Sequence, residues 1–176
     1  GAISNFNKAI ELHFQLSEVY YYRGLAKHEL INQNNNIILR KNCLPKNSSI
    51  TLSALNNIEK VEPLNHSDAI LDYCKAIELN PNKPEIYFHR GDAKLSDGDY
   101  QGALFDMNFA IKLAPNDAKN YNTRGHIKYV LKDYQGAIND FNIAIEFNLK
   151  NIDIIFERGL AKFYIEDFQG AILDFN

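Results

Sequence analysis

The chain has 176 residues, 45% of them hydrophobic and 23% charged, the balance of a folded protein, so disorder of the whole is excluded. A formal net charge of -3 and the lack of a long basic tract give no general attraction to nucleic acid or to an anionic membrane surface. No run of about 18 apolar residues occurs, Gly1 to Asn5 lacks the charge and apolar core of a signal peptide, and two isolated cysteines, Cys43 and Cys74, make neither a disulfide framework nor a CxxC metal site.

In chain order, residues 1–14 read as the second helix of a partial unit, because Gly1-Ala2-Ile3-Ser4-Asn5-Phe6-Asn7 has the pattern of Gly136 to Asn142 and of Gly170 to Asn176. The chain is therefore expected to begin and end inside units. Uncapped ends of a repeat array imply either further chain or end-to-end self-association. Residues 17–31 then form a first helix through Tyr20, Gly24 and Ala26, with its second helix at 66–82 starting around Ala69.

Between these two helices the spacing is irregular. Gly24 and Ala69 lie 45 residues apart where Gly91 and Ala103 lie 12 apart, leaving 33 extra residues. One reading is an insertion, residues 32–65, in the turn of a single unit. The other is a decayed unit whose second helix is Asn34 to Leu44. The decayed unit would put Asn36 and Cys43 where small residues belong, and Asn34-Asn35-Asn36 is poor helix material, so the insertion fits better. Residues 32–48 are expected as loop. Ile50, Leu52, Leu55, Ile58 and Val61, after Ser48-Ser49 and before Glu62-Pro63, predict a short capped amphipathic helix at 50–62.

From residue 84 onward the sequence repeats every 34 residues. Arg90-Gly91, Arg124-Gly125 and Arg158-Gly159 fall in register with Tyr100-Gln101-Gly102-Ala103, Tyr134-Gln135-Gly136-Ala137 and Phe168-Gln169-Gly170-Ala171, and Lys94, Lys128 and Lys162 keep the same phase. The units are 84–117, 118–151 and a truncated 152–176. Each reads as two helices joined at Asp-Tyr or Asp-Phe, with Gly91, Gly125 and Gly159 facing Ala103, Ala137 and Ala171 so that two backbones can approach. Pro81 and Pro115 end second helices; at Leu149 that proline is absent and a looser turn is expected. A repeat of this length builds a solenoid.

Small residues, an aromatic and a closing proline at these offsets resemble the tetratricopeptide repeat (TPR) family, most strongly over residues 66–176. The resemblance implies an all-α, right-handed solenoid of antiparallel helix pairs, a single TPR-like superhelix over 1–176, whose first helices line a concave face that binds peptides. The family's usual leucine and tyrosine on the first helix are here Arg90 and Lys94. By repeat phase the concave face comprises Glu18, Tyr21, Tyr22, Leu25 and His28 in the earliest unit. Glu85, Phe88, His89, Asp92 and Leu95 follow in the next, then Lys119, Asn122, Thr123, His126 and Tyr129, and finally Asp153, Phe156, Glu157, Leu160 and Phe163. Aromatic anchors with carboxylates favour a peptide carrying apolar residues and Lys or Arg.

Some family members clamp acidic chaperone tails with lysine and asparagine. The matching places here hold Tyr21, Leu25, His89, Lys119 and Thr123, and only Lys119 has the right type. Arg23, Arg90, Arg124 and Arg158 recur with Asp72, Asp106, Asp140 and Asp174, which predicts an ion-pair ladder between helices. His89, His126 and Asp92 approach metal-ligand composition, but a third strong ligand is lacking, so no metal or other cofactor is expected. No Gly-rich phosphate loop, nucleophile elbow or catalytic Cys-His pairing occurs. The sequence thus points to a non-catalytic interaction scaffold. A regulatory segment of a larger enzyme and a helical-repeat RNA binder are the alternatives, the second opposed by the acidic face.

Overall fold

The computed structural model describes residues 1–12, 16–43, 66–147 and 151–176, and among these every regular element is an α-helix. They are α1 (Ala2–Glu11), α2 (Ser17–Cys43), α3 (His66–Leu79), α4 (Pro84–Ser96), α5 (Tyr100–Leu113), α6 (Ala118–Val130), α7 (Tyr134–Glu146), α8 (Ile152–Tyr164) and α9 (Phe168–Phe175). The chain divides into two compact units, Gly1–Leu79 and Asn80–Asn176.

In the first unit α2 packs on both α1 and α3. Tyr73 fills the space that Gly24 leaves open, its ring 2.8 Å from where a Cβ would sit, and Tyr20, Ile31, Ala69 and Ala76 are buried with it. Ser17 ties the start of α2 to α3 by donating to the Ala76 carbonyl at 2.9 Å.

The second unit holds three helix hairpins, α4 with α5, α6 with α7 and α8 with α9. They stack through α5 on α6 and α7 on α8, while the first helices touch one another, α4 with α6 and α6 with α8. The fold is an all-α helical-repeat solenoid. Each turn is closed the same way: Asp99, Asp133 and Asp167 cap the second helices by accepting from the backbone N–H of Gly102, Gly136 and Gly170 at 2.9–3.0 Å, satisfying a donor that the first turn leaves open. The glycines of the first helices give way chiefly to the large residue of the second helix. A Cβ on Gly125 would meet the Phe141 ring at 2.7 Å, and one on Gly91 the Met107 methyl at 2.5 Å.

The predicted ladder is present. Arg90, Arg124 and Arg158 each engage Asp106, Asp140 and Asp174 through Nε and Nη2, and Lys94, Lys128 and Lys162 reach the same carboxylates at 2.8–2.9 Å. Arg124 and Arg158 also donate Nη1 to Asn108 and Asn142 of the preceding hairpin at 2.8 Å, so the network joins hairpins as well as the helices within them. The first unit repeats it with Arg23, Lys27, Asp72 and Asn7.

One expectation is overturned. Residues 32–43 are not loop, nor does a turn precede a separate helix at Asn34; α2 runs unbroken to Cys43. Asparagine is a weak helix former in isolation, but a helix already nucleated adds one hydrogen bond per residue fixed, so a short Asn run does not stop it when Ile37, Ile38, Leu39 and Arg40 follow. The predicted helix at 50–62, the rest of the 32–65 insertion from 44 onward, and Leu149 lie outside the described residues.

Candidate functional site

In the second unit the fifth, sixth and ninth residues of α4, α6 and α8 share one face because these helices run side by side. On α4, Phe88, His89 and Asp92 are half-buried, and the Phe88 ring meets the His89 edge at 5.2 Å. On α6, Lys119 is exposed and Asn122, His126 and Tyr129 are half-buried; on α8, Glu157 and Leu160 are half-buried while Phe156 and Phe163 stand more than half exposed. Phe88 and Tyr129 also pack against the buried core, so part of this aromatic face is structural.

His126 and Glu157 bridge adjacent first helices, Nδ1 to Oε1 at 3.0 Å. The hydrogen bond to Glu157 pushes the imidazole above its ordinary pKa against the opposing effect of burial. Next to them Tyr129, Tyr134 and Tyr164 form an aromatic cluster, with Tyr134 and Tyr164 stacked at 4.7 Å. Burial, then the neighbouring Tyr164, raises the Tyr129 phenol. Phe163 extends the cluster to Phe168 at 5.6 Å, whereas Phe156 turns toward Phe175 at 5.6 Å.

Between the N-terminal turns of α4 and α6 lies a cleft of about 190 Å³ whose wall includes Glu85, Phe88, His89, Asp117, Lys119 and Asn120. Repeat phase picks out Glu85, Phe88, His89 and Lys119 but passes over Asp117 and Asn120. The signal for Asn120 was in the sequence: it is the third residue of its unit, where the others have Val19, Ile86 and Ile154.

In the first unit, Tyr21 and Tyr22 are in ring contact at 5.1 Å, Tyr22 is exposed and Leu25 half-buried. His28 does not join that surface. It is buried, edge-on to His66 with ring centroids 5.1 Å apart, because the last turn of this face is covered where α2 packs on α3. Among the described residues no helix is long and apolar enough to cross a membrane, and no group of three or more His, Cys, Asp or Glu is placed to hold a metal ion.

Comparison with known proteins agrees with this architecture. No curated protein matches the chain in sequence. Among solved structures, the crystal structure of MamA is similar with a TM-score of 0.76 and 19% identity, covering 99% of this chain and 83% of its own. MamA from Desulfovibrio magneticus RS-1 gives 0.72 and 17%, covering 98% and 79%. The first TPR of Spaghetti (RPAP3), bound to the HSP90 peptide SRMEEVD, gives 0.56 and 23%, covering 57% of this chain and 80% of its own. The family model described as TPR repeat matches residues 65–98, and that described as tetratricopeptide repeat matches residues 84–117. Residues 65–117 are thus tetratricopeptide repeats, and the same 34-residue register carries on through α8 and α9.

Proposed function

We propose that the shared face of α4, α6 and α8 is a peptide-binding groove and that the protein is a non-catalytic interaction scaffold whose partner carries apolar anchors together with lysine or arginine. What supports this reading is that the exposed rings of Phe156 and Phe163 and the carboxylates of Glu85, Asp92, Asp153 and Glu157 fall at equivalent groove phases of the first helices α4 and α8, each of which lies beside α6. Aromatic side chains supply large contact area at low entropic cost, and fixed carboxylates favour cationic partners. Tyr21, Tyr22 and Leu25 offer the same kind of face within the first unit.

Peptide binding by a similar fold is seen in Spaghetti, whose bound peptide SRMEEVD contains two glutamates and an aspartate. An acidic segment of that kind would meet like charge here, and Lys119 alone among the clamp positions is cationic. Selection from a displayed library of random peptides tests the reading. Enriched sequences are expected to combine apolar residues with Lys or Arg and to be lost by a folded Phe88→Ala, His126→Ala, Phe156→Ala variant. Enrichment of acidic sequences, or retention by the variant, would overturn it.

A further inference from the structure

We infer that the hairpin tips of the second unit form a docking strip for a proline-rich segment in the polyproline II conformation. The strip adjoins the proposed groove through Tyr129 and Phe163 and is carried by observations of its own.

The tips repeat one contact. In the hairpin of α6 and α7, Tyr129 near the end of the first helix meets Tyr134 at the start of the second, edge to face with ring centroids 5.6 Å apart. In the hairpin of α8 and α9, Phe163 meets Phe168 in the same arrangement, again at 5.6 Å. Leu95 and Tyr100 hold the same register in α4 and α5, and Tyr100 is exposed. Tyr164 joins the two aromatic pairs, stacked on Tyr134 at 4.7 Å and touching Phe163 at 6.0 Å. Five rings are thus in continuous contact. Tyr129 and Tyr134 rest on the core, but Phe163, Tyr164 and Phe168 are each more than half exposed, and a contiguous exposed aromatic patch marks an interaction surface.

The spacing selects the partner. The first helices α4, α6 and α8 touch in sequence, and packed helices lie about 8–10 Å apart, axis to axis. The tip contacts therefore recur at about that interval. A polyproline II helix has three residues per turn and repeats about every 9 Å. Prolines three residues apart on one edge of such a helix fall in step with successive hairpins.

The chemistry agrees with the spacing. Proline rings lie flat on aromatic faces, and a polyproline II segment is ordered before it binds, so little entropy is lost on docking. Its backbone carbonyls make no internal hydrogen bonds and can accept from phenol hydroxyls, which three of the five rings, Tyr129, Tyr134 and Tyr164, carry. An α-helical partner has already used its carbonyls along its length and offers those phenols nothing.

The test is an NMR-monitored titration of the full chain with three peptides, each acetylated and amidated. They are decaproline; Pro-Ala-Ala-Pro-Ala-Ala-Pro, which keeps the three-residue spacing; and Pro-Ala-Ala-Ala-Pro-Ala-Ala-Ala-Pro, which breaks it. The first two are expected to shift the amides of Tyr129, Tyr134, Phe163, Tyr164 and Phe168, with the third binding about tenfold more weakly than the second, the loss of one anchoring contact. Tyr164→Ala, at an exposed site, is expected to weaken decaproline binding about tenfold. Tyr164→Phe, which keeps the ring, is expected to weaken it about threefold through loss of one hydrogen bond. No shifts at the tips, equal binding at both spacings, or unchanged affinity in both Tyr164 variants would overturn the strip. Stronger binding of an amphipathic leucine-lysine helix than of decaproline would overturn it in favour of a helical partner. The folded Phe88→Ala, His126→Ala, Phe156→Ala variant is expected to keep decaproline; its loss there would move the segment into the groove and overturn the strip. If that variant loses its library-selected peptides while the tips ignore decaproline, the groove stands and the strip fails. If it keeps both, the strip stands and the groove reading fails.

Discussion

Arg124 and Asp140 meet through two parallel hydrogen bonds, Nε to Oδ2 at 2.8 Å and Nη2 to Oδ1 at 2.6 Å, and Lys128 reaches the same buried carboxylate at 2.8 Å. Asp140 is 2% exposed, so its charge depends on these partners. Arg124→Ala is expected to cost about 3 kcal/mol in denaturant unfolding, the range for breaking a buried pair. Lys128→Ala is expected to cost about 1 kcal/mol because the bidentate contact survives. Removing both should cost more than the sum, since each cation shields the carboxylate when the other is lost. Strict additivity would show that the two act independently.

At Asp174 the ladder also shapes the response to acid. Burial opposes ionisation of Asp174, but hydrogen bonds from Arg158 and Lys162 hold its carboxyl below the ordinary value. A depressed carboxyl contributes stability that is present above the unfolded pKa of about 3.9 and is lost as pH falls through the lower folded value. Asp174→Asn is therefore expected to flatten the acid limb of the stability profile, as read by unfolding at a series of pH values.

His126 and Glu157 respond in the opposite direction. The imidazole pKa is raised, so the pair contributes fully below the unfolded value of about 6.5 and is lost as pH rises through the higher folded value. A basic peptide that takes Glu157 competes with protonated His126 and should bind more tightly as pH rises through that window. His126→Asn is expected to remove this dependence, checked by affinity against pH and by NMR titration of the ring.

Two glycines that look equivalent in sequence should differ in cost. A Cβ on Gly125 meets the rigid Phe141 ring at 2.7 Å, whereas one on Gly91 meets first the flexible end of Met107, with the Asp106 Cβ at 3.1 Å and the Ala103 carbonyl at 3.3 Å having to give by only a few tenths of an ångström. Gly125→Ala is expected to cost about 1–3 kcal/mol as overpacking against a ring, with Gly91→Ala less. Thermal melts of the two variants give the comparison.

The turn between helices takes a left-handed residue in each hairpin of the second unit: Gly98 at φ 82°, Lys132 at φ 65° and Glu166 at φ 65°. Only glycine adopts this region without a steric penalty. Lys132→Gly and Glu166→Gly are each expected to stabilise by about 0.5–1 kcal/mol, the strain relieved less the added chain entropy. A loss of Tm in both would show that side-chain contacts at the turn outweigh the backbone.

Much of this fold is legible in the repeat phase. The constant spacing of Arg90, Arg124 and Arg158 from Asp106, Asp140 and Asp174 predicts the ladder because matching offsets on two helices must meet at matching heights. The recurrence of Lys94, Lys128 and Lys162 is equally visible, but its role needs the geometry, which puts them one turn beyond the arginines, on the same carboxylates. His28 misleads because a polar residue at a groove phase reads as exposed, while packing of α2 on α3 buries it against His66. The continuation of α2 to Cys43 is hidden by local propensity, which cannot register propagation from a helix already formed. Asn120 is missed because groove phases exclude the third position, although its departure from Val19, Ile86 and Ile154 is plain in the sequence.

The most direct test of the groove is a backbone-amide footprint of a library-selected basic peptide on the isotope-labelled chain. The account predicts shifts concentrated on α4, α6 and α8, around Phe88, His126, Glu157 and Phe163, with α5, α7 and α9 little affected. Shifts concentrated on the second helices would contradict it and place recognition on the opposite face of the hairpins.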